Sequence, residues 1–256
     1  MTNTAPETLP SEEWQTAIAR SVTYLFLSRG LAYPASEQLA FLRERVVPVL
    51  LGLDLGPASV AAVQQTLPGL RASLEDLQAA HVQVFSLTVS ADCPDFETAY
   101  LPNDVFRQAE VMADAAGFYR AFGLEVGGQQ FQRPDYLTTE LEFMGFLARK
   151  EAHALEYFGA DELAVVREAQ QLFMRDHLGC WGAEVGRRIE AQGARNELVY
   201  GALGRLLGAW VAEELERLGV APAWRAEGPR IEWPEQDDGS CGTDIGHSLM
   251  RTEKTA

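Results

Sequence analysis

Two helical stripes on either side of a short loop constrain this chain more than any other feature. From Asp104 to Gly159 it reads DVFRQAEVMADAAGFYRAFGLEVGGQQFQRPDYLTTELEFMGFLARKEAHALEYFG. Val105, Ala109, Met112, Ala116 and Tyr119 recur at steps of three and four, a spacing that shares one face only on an α-helix. Asp104 can accept from the orphan N–H groups of the first turn. Gly123 offers the left-handed stop that helix ends favour. Leu137, Leu141, Met144, Ala148, Ala152 and Leu155 make a second stripe, with Pro134 and Asp135 at its start, Asp135 as N-cap, and Gly159 at its end. Each helix then has one apolar face to bury, which calls for further helices or a sheet.

The rest of the chain supplies helices. Ser11 followed by Glu12 and Glu13 is a helix start, and Trp14, Ile18, Val22 and Leu25 or Phe26 are its apolar positions. That helix should stop before Tyr33–Pro34. Ser36 caps another, which Pro48 kinks or ends. Pro57 opens a short helix to Leu67, and Gly69 to about Ser86 forms a further one. Asp161–Asp176, Trp181–Ala191 and Asn196–Leu218 complete the set. Strand-like alternation is scarce, so the expected fold is all-α, a single-domain helical bundle over residues 11–220. Residues 1–10 read as a loose tail. Residues 221–256, rich in Pro, Gly and charge, read as a largely disordered one, with Trp224, Ile231 and Trp233 as candidate anchors. Gly201, Gly204 and Gly208 lie near one face of the last helix and permit close helix approach. They form no phosphate loop, because no strand precedes them and no lysine follows. Arg205 rules out a membrane dimer motif.

Charge and ligand spacing narrow the function. With 37 acidic and 21 basic residues the formal net charge is −16. That argues against a nucleic-acid or anionic-membrane partner, since both ask for a positive footprint. No apolar run approaches the roughly 20 residues of a membrane helix, and the polar, acidic N-terminus is not that of a signal peptide. Cys93, Cys180 and Cys241 are widely spaced without a CxxC, which fits a reducing cytoplasm. His177 with Cys180, and Cys241 with His247, lack the paired spacing of a structural zinc site. Glu151-Ala152-His153 is not the Glu-x-x-His of a di-iron bundle, and Glu140 and Glu142 cannot share a helix face. No nucleotide fingerprint or nucleophile–base pair is visible. The expectation is a protein without catalytic residues, metal or cofactor; a helical metal-binding protein or enzyme is the alternative.

The run MADAAGFYRAFGLE, followed by RPDYLTTELEFMGFLARKEA, resembles the TorD/DmsD/NarJ family of redox-enzyme maturation chaperones. It is most similar to the branch serving nitrate-reductase-like (type II DMSO reductase family) molybdoenzymes, which includes the chaperones for ethylbenzene dehydrogenase, selenate reductase and chlorate reductase. The match is specific over Phe85 to Gly159 and looser to about Gly219. The resemblance implies a cytoplasmic, system-specific chaperone, monomer or dimer. Its partner would be the apo catalytic subunit of a molybdopterin oxidoreductase and the twin-arginine leader that many such clients carry. It places partner-binding residues at Arg133, Pro134, Asp135 and Tyr136, at Glu97 and Tyr100 in the irregular segment LTVSADCPDFETAYLPND, and at Tyr33. Family members usually carry Asp-His where this chain has Asp135–Tyr136, which keeps a ring and a hydrogen-bonding tip but loses the imidazole charge. Recognition of such a leader asks for carboxylates facing guanidinium groups and an apolar groove beside them; Asp135 and Glu97 are the carboxylates the resemblance offers.

Overall fold

The computed structural model describes residues 11–86, 89–127, 133–195 and 199–230. The helices are α1 (Glu12–Leu31), α2 (Ser36–Phe41), α3 (Val47–Leu50), α4 (Pro57–Thr66), α5 (Leu74–Phe85), α6 (Val105–Ala121), α7 (Leu137–Tyr157), α8 (Ala160–Asp176), α9 (Leu178–Arg195) and α10 (Val199–Leu218). No strand is found among the described residues; one isolated antiparallel bridge joins Phe96 to Tyr136. The fold is all-α, as the periodicity predicts.

Two pairings organise the bundle: α1 lies along α7, and α9 along α10, with α4 and α8 packed on their flanks. The α9–α10 approach is set by glycine. A Cβ on Gly186 would fall 2.9 Å from both Gly204 O and Gly208 N, so the two backbones meet where side chains would hold them apart. The core runs through Tyr24 and Leu27 of α1, Leu141 and Met144 of α7, Phe173 of α8, Trp181 of α9 and Trp210 of α10. Burial of such side chains stabilises by about 1.5–3 kcal/mol each.

Local chemistry explains most boundaries. Ser11 and Asp104 accept backbone N–H groups at the starts of α1 and α6, and Gly123 takes φ 72° just past the end of α6. Other expectations fail for physical reasons. Ser36 is the first helical residue of α2, behind an Ala35 cap that makes no side-chain bond. Pro48 does not stop this helix: a π turn at Leu42–Val46 absorbs it, and the chain stays helical to Leu50. Gly159 is extended (φ −97°, ψ −171°) and begins α8 instead of closing α7. The α7 stripe from Leu137 to Ala152 is buried, but α6 buries only Ala115 and Tyr119; Val105 is 73% and Phe106 88% exposed.

The buried face of α1 is also rotated from expectation. It runs Ala17, Arg20, Tyr24, Leu27, Leu31, while Trp14, Ile18 and Val22 are half-buried. Arg20 is the reason. Its guanidinium, 4% exposed, reaches Glu214 at 2.8 Å, Glu151 at 2.7 Å and Gln170 at 2.5 Å, and Tyr24 donates to the same Glu214 at 3.0 Å. One cation thereby ties α1 to α7, α8 and α10. Beyond α10, residues 221–230 lie against the body: Ala223, Ala226 and Arg230 donate to Arg175, Cys180 and Ala99 carbonyls, and Trp224 packs on the core. The remainder of the tail, with Ile231, Trp233, Cys241 and His247, lies outside the described residues.

Candidate partner-binding site

The loop singled out by the sequence is built on a two-residue ladder. Glu97 N–H donates to Asp135 O at 2.9 Å and Leu137 N–H to Asp95 O at 2.8 Å, which sews the irregular segment 94–101 to the start of α7. This pairing turns the Asp135 carboxylate away from α7. Its Oδ2 accepts from Thr98 N–H (3.1 Å) and Thr98 Oγ1 (2.7 Å), so it caps the 3₁₀ turn Glu97–Tyr100. The expected N-cap of α7 is corrected accordingly: Tyr136 holds that position and makes no side-chain bond. Arg133 closes the carboxylate's other side, with Nε to Oδ1 at 2.9 Å and Nη2 to Oδ2 at 3.0 Å. The guanidinium also lies over the Phe96 ring at 4.3 Å, and Tyr136 meets Phe96 edge-on. Burial lowers the Arg133 pKa, but the Asp135 hydrogen bond and charge more than compensate, leaving it raised.

Beneath this lies a buried carboxyl cluster. Glu97 Oε2 faces His177 Nδ1 at 2.9 Å, and His177 Nε2 faces Asp114 Oδ2 at 3.1 Å. Glu140 Oε2 accepts from Trp181 Nε1 at 3.0 Å. Glu97 Oε1 and Glu140 Oε1 are buried with no donor from any other group. Burial raises both carboxyls, and Glu140, raised well above the ordinary range, is pushed further by Glu97. Repulsion between two buried carboxyls favours one proton held by the pair. Burial pulls the His177 imidazole down, but Glu97 and then Asp114 outweigh it and leave its pKa raised, as befits a ring donating on both sides. Tyr119 completes the floor by donating to Pro134 O at 2.6 Å.

The residues expected to face a partner therefore divide. Arg133, Pro134, Asp135, Tyr136, Glu97 and Tyr100 do come together. Asp135 and Glu97, however, are 0% exposed and bonded within the chain, so in this conformation they shape the surface without forming it. Tyr100 is also buried; it donates to Pro94 O at 2.9 Å and its ring tilts on Trp181. Tyr33 stands apart, half exposed and edge-on to His81 of α5. The sequence did not reveal Asp114, Glu140 or His177 as members. Its spacing to Cys180 offers His177 only as a metal ligand; its place one helical turn before Trp181, at the α8–α9 junction, is the signal that goes with a packed polar core.

Beside the loop a groove of about 320 Å³ opens between the end of α6 and the outer face of α7. Tyr119, Leu124, Val126, Phe143 and Phe146 give it an apolar lining, and Glu125 and Glu142 are its carboxylates. Glu142 carries Arg29 at 2.6 Å, both partly exposed. Among the described residues no group of three or more His, Cys, Asp or Glu could hold a metal ion, and no helix is long and apolar enough to cross a membrane.

Residues 56–186, half of the chain, match the family described as nitrate reductase delta subunit. The chain belongs to this family. The matched span of the delta-subunit family takes in the groove beside α7 and the whole carboxyl cluster. Its relatives include the perchlorate reductase assembly chaperone protein of Dechloromonas aromatica (strain RCB), 28% identical over 202 residues, 74% of this chain and 88% of that one. The chlorate reductase assembly chaperone protein of Ideonella dechloratans is 31% identical over 112 residues, and the selenate reductase assembly chaperone protein of Thauera selenatis 33% over 109. These last two matches span 44% and 43% of this chain, and 55% and 53% of the relatives.

Proposed function

We propose that this protein is a system-specific assembly chaperone, not an enzyme, for the apo catalytic subunit of a molybdenum-cofactor reductase. It acts in the cytoplasm, before export, while the cofactor is inserted. The observation that carries this reading is the similarity to the perchlorate reductase chaperone across 88% of that protein's length. The geometry supports it in kind: a loop braced from below and an apolar groove beside it with exposed carboxylates.

The finer part of the proposal concerns the leader. A twin-arginine leader presents adjacent guanidinium groups and then an apolar segment. Glu125 and Glu142 offer exposed carboxylates, and the aromatic lining takes the apolar part. Arg29 is the internal stand-in. An exposed pair of this sort contributes only about 0–1 kcal/mol, so a guest arginine can displace it at small cost. Asp135 and Glu97 serve by fixing the wall.

Deleting the gene tests the role: one molybdenum reductase of the host should lose molybdenum content and activity, and if all of them are unchanged the reading is wrong. For the leader, calorimetric titration would use a synthetic peptide of two arginines followed by an apolar segment. It should bind the full chain, and Glu142→Gln should weaken it by up to about fivefold, the worth of one exposed pair. Equal binding of a peptide with both arginines replaced by glutamine would sink the leader proposal while leaving the chaperone role standing.

A further inference from the structure

A second groove, of about 410 Å³, opens on a different part of the bundle, against the helical stretch α2–α3 and the turn that follows α4. Its lining is Val47, Leu51, Leu67 and Leu70, and its two polar members are Arg43 and Arg71. Arg43 sits in the π turn that accommodates Pro48, a distortion that recurs at functional sites. Its guanidinium is held in place: Nε donates to Leu70 O at 2.7 Å and Nη2 to Ala72 O at 2.6 Å. Carbonyls fix its position without neutralising its charge.

The charge is what sets this groove apart. Arg20, Arg29, Arg133, Arg167, Arg175, Arg187, Arg188, Arg205, Arg217 and Arg230 each pair with a carboxylate of this chain. Arg43 and Arg71 have no such partner among the described residues, nor do Arg45, Arg107, Arg120, Arg149 and Arg225; Arg43 and Arg71 differ from those in lining one apolar groove together. In a chain of net charge −16, a groove whose polar lining is two guanidiniums and no carboxylate carries a locally positive mouth. Leu51 on the same rim is 53% exposed, so the apolar surface reaches solvent beside the charges. A planar guanidinium held by its own backbone contacts is pre-organised for a carboxylate, and the floor suits aliphatic or aromatic side chains.

We infer that this groove docks an acidic, apolar-anchored segment of a partner protein. A carboxylate of the segment bridges Arg43 and Arg71 while a neighbouring apolar side chain fills the space between Leu51 and Leu67. The sign of charge is opposite to that of the groove beside α7, so the two surfaces take different stretches of chain, and the inference stands whether or not the leader proposal does.

Selection from a phage-displayed random dodecapeptide library on the immobilised full chain tests it. Enriched peptides should carry Asp or Glu next to Leu, Ile or Phe. By fluorescence anisotropy their affinity should fall at least tenfold in Arg71→Glu, less in Arg71→Lys, and should weaken as salt rises. Arg71 is exposed, so a far-UV spectrum and melt matching the parent confirm that the variant folds. Three results overturn the inference: no enrichment, enriched peptides without acidic residues, or binding indifferent to Arg71→Glu. Displacement of the selected peptides by a synthetic peptide of residues 231–256 would assign the groove to the chain's own terminus instead. A dimer seen by light scattering that Arg71→Glu dissociates would assign it to a second copy.

Discussion

Replacing Glu140 by glutamine should stabilise this protein at alkaline pH. The side chain is 0% exposed, its Oε2 accepts from Trp181 at 3.0 Å, and its Oε1 meets Glu97 with no other donor available. A carboxyl raised by burial and by Glu97 binds a proton in the folded state that the unfolded chain has released above an ordinary pKa of about 4.3. The native state then binds more protons, so stability falls as pH rises from there to the raised value, by up to about 1.4 kcal/mol per unit. Glutamine keeps the acceptor for Trp181 and presents a permanent N–H to Glu97, with nothing to titrate. Above an ordinary carboxyl pKa of about 4.3, Glu140→Gln should gain on the parent by up to about 1.4 kcal/mol per pH unit until the raised value is reached, so the gap should be open at pH 8 and close toward pH 5. Glu140→Leu, of similar size, strands both Trp181 and Glu97 and should lose about 1–3 kcal/mol, the cost of one poorly satisfied buried polar group. Urea unfolding followed by tryptophan fluorescence at several pH values reads this out. His177, also raised, adds a falling slope to both proteins, so the difference between them is the quantity to compare. A Glu140→Gln variant that is weaker than the parent at pH 8, or that keeps the parent's full pH slope, would refute the shared proton.

Further outcomes follow from single sites. Burial among Tyr33, Phe85 and Tyr200 lowers His81 to about 4, so its contribution is present above about 6.5 and lost as pH falls toward 4. The loss is about 3 kcal/mol at most, and His81→Phe should flatten thermal melts across that range. Arg20→Met removes the buried cation shared by Glu151 and Glu214, leaving only the partly exposed Arg167 and Arg217 beside them, and should cost up to about 3–5 kcal/mol by denaturant titration. Gly204→Ala puts a methyl 2.5 Å from Gly186 O, and the forced shift of α9 against α10 should lower stability by about 1–3 kcal/mol. Asp104→Ala removes the α6 cap, bonded at 3.0 Å to Phe106 N–H, and should cost about 1 kcal/mol.

The helices were legible because periodicity and caps are local: the α7 stripe, the Asp104 cap, the Gly123 stop and the glycine face of α10 could all be read from neighbours in sequence. The misreadings share a cause in long-range pairing. Asp135 has the composition of a helix cap, yet the Phe96–Tyr136 bridge, formed with a segment far back in the chain, turns it to Thr98 instead. Arg20 looks like a solvent-facing charge until Glu151, Gln170 and Glu214 arrive from three other helices. Glu97 and His177 are 80 residues apart, and no spacing rule joins them. The resemblance points to the loop at Arg133–Tyr136, whereas the groove beside it depends on how α6 is set against α7.

That setting has a consequence for motion. An isolated helix of about 12–15 residues is marginal in water, and α6, with 17, buries only Ala115 and Tyr119. It is held to the body at few points, among them Asp114 at His177 and Tyr119 at Pro134. Its first turns, with Val105 and Phe106 bare to solvent, belong to the low-stability end of the molecule and should surrender their amide hydrogens to solvent long before α7 does. One wall of the groove is thus the anchored end of a helix whose opposite end is exposed, while the other wall is α7, rooted in the core. Fraying can therefore run from the start of α6 toward the groove without disturbing the bundle beneath.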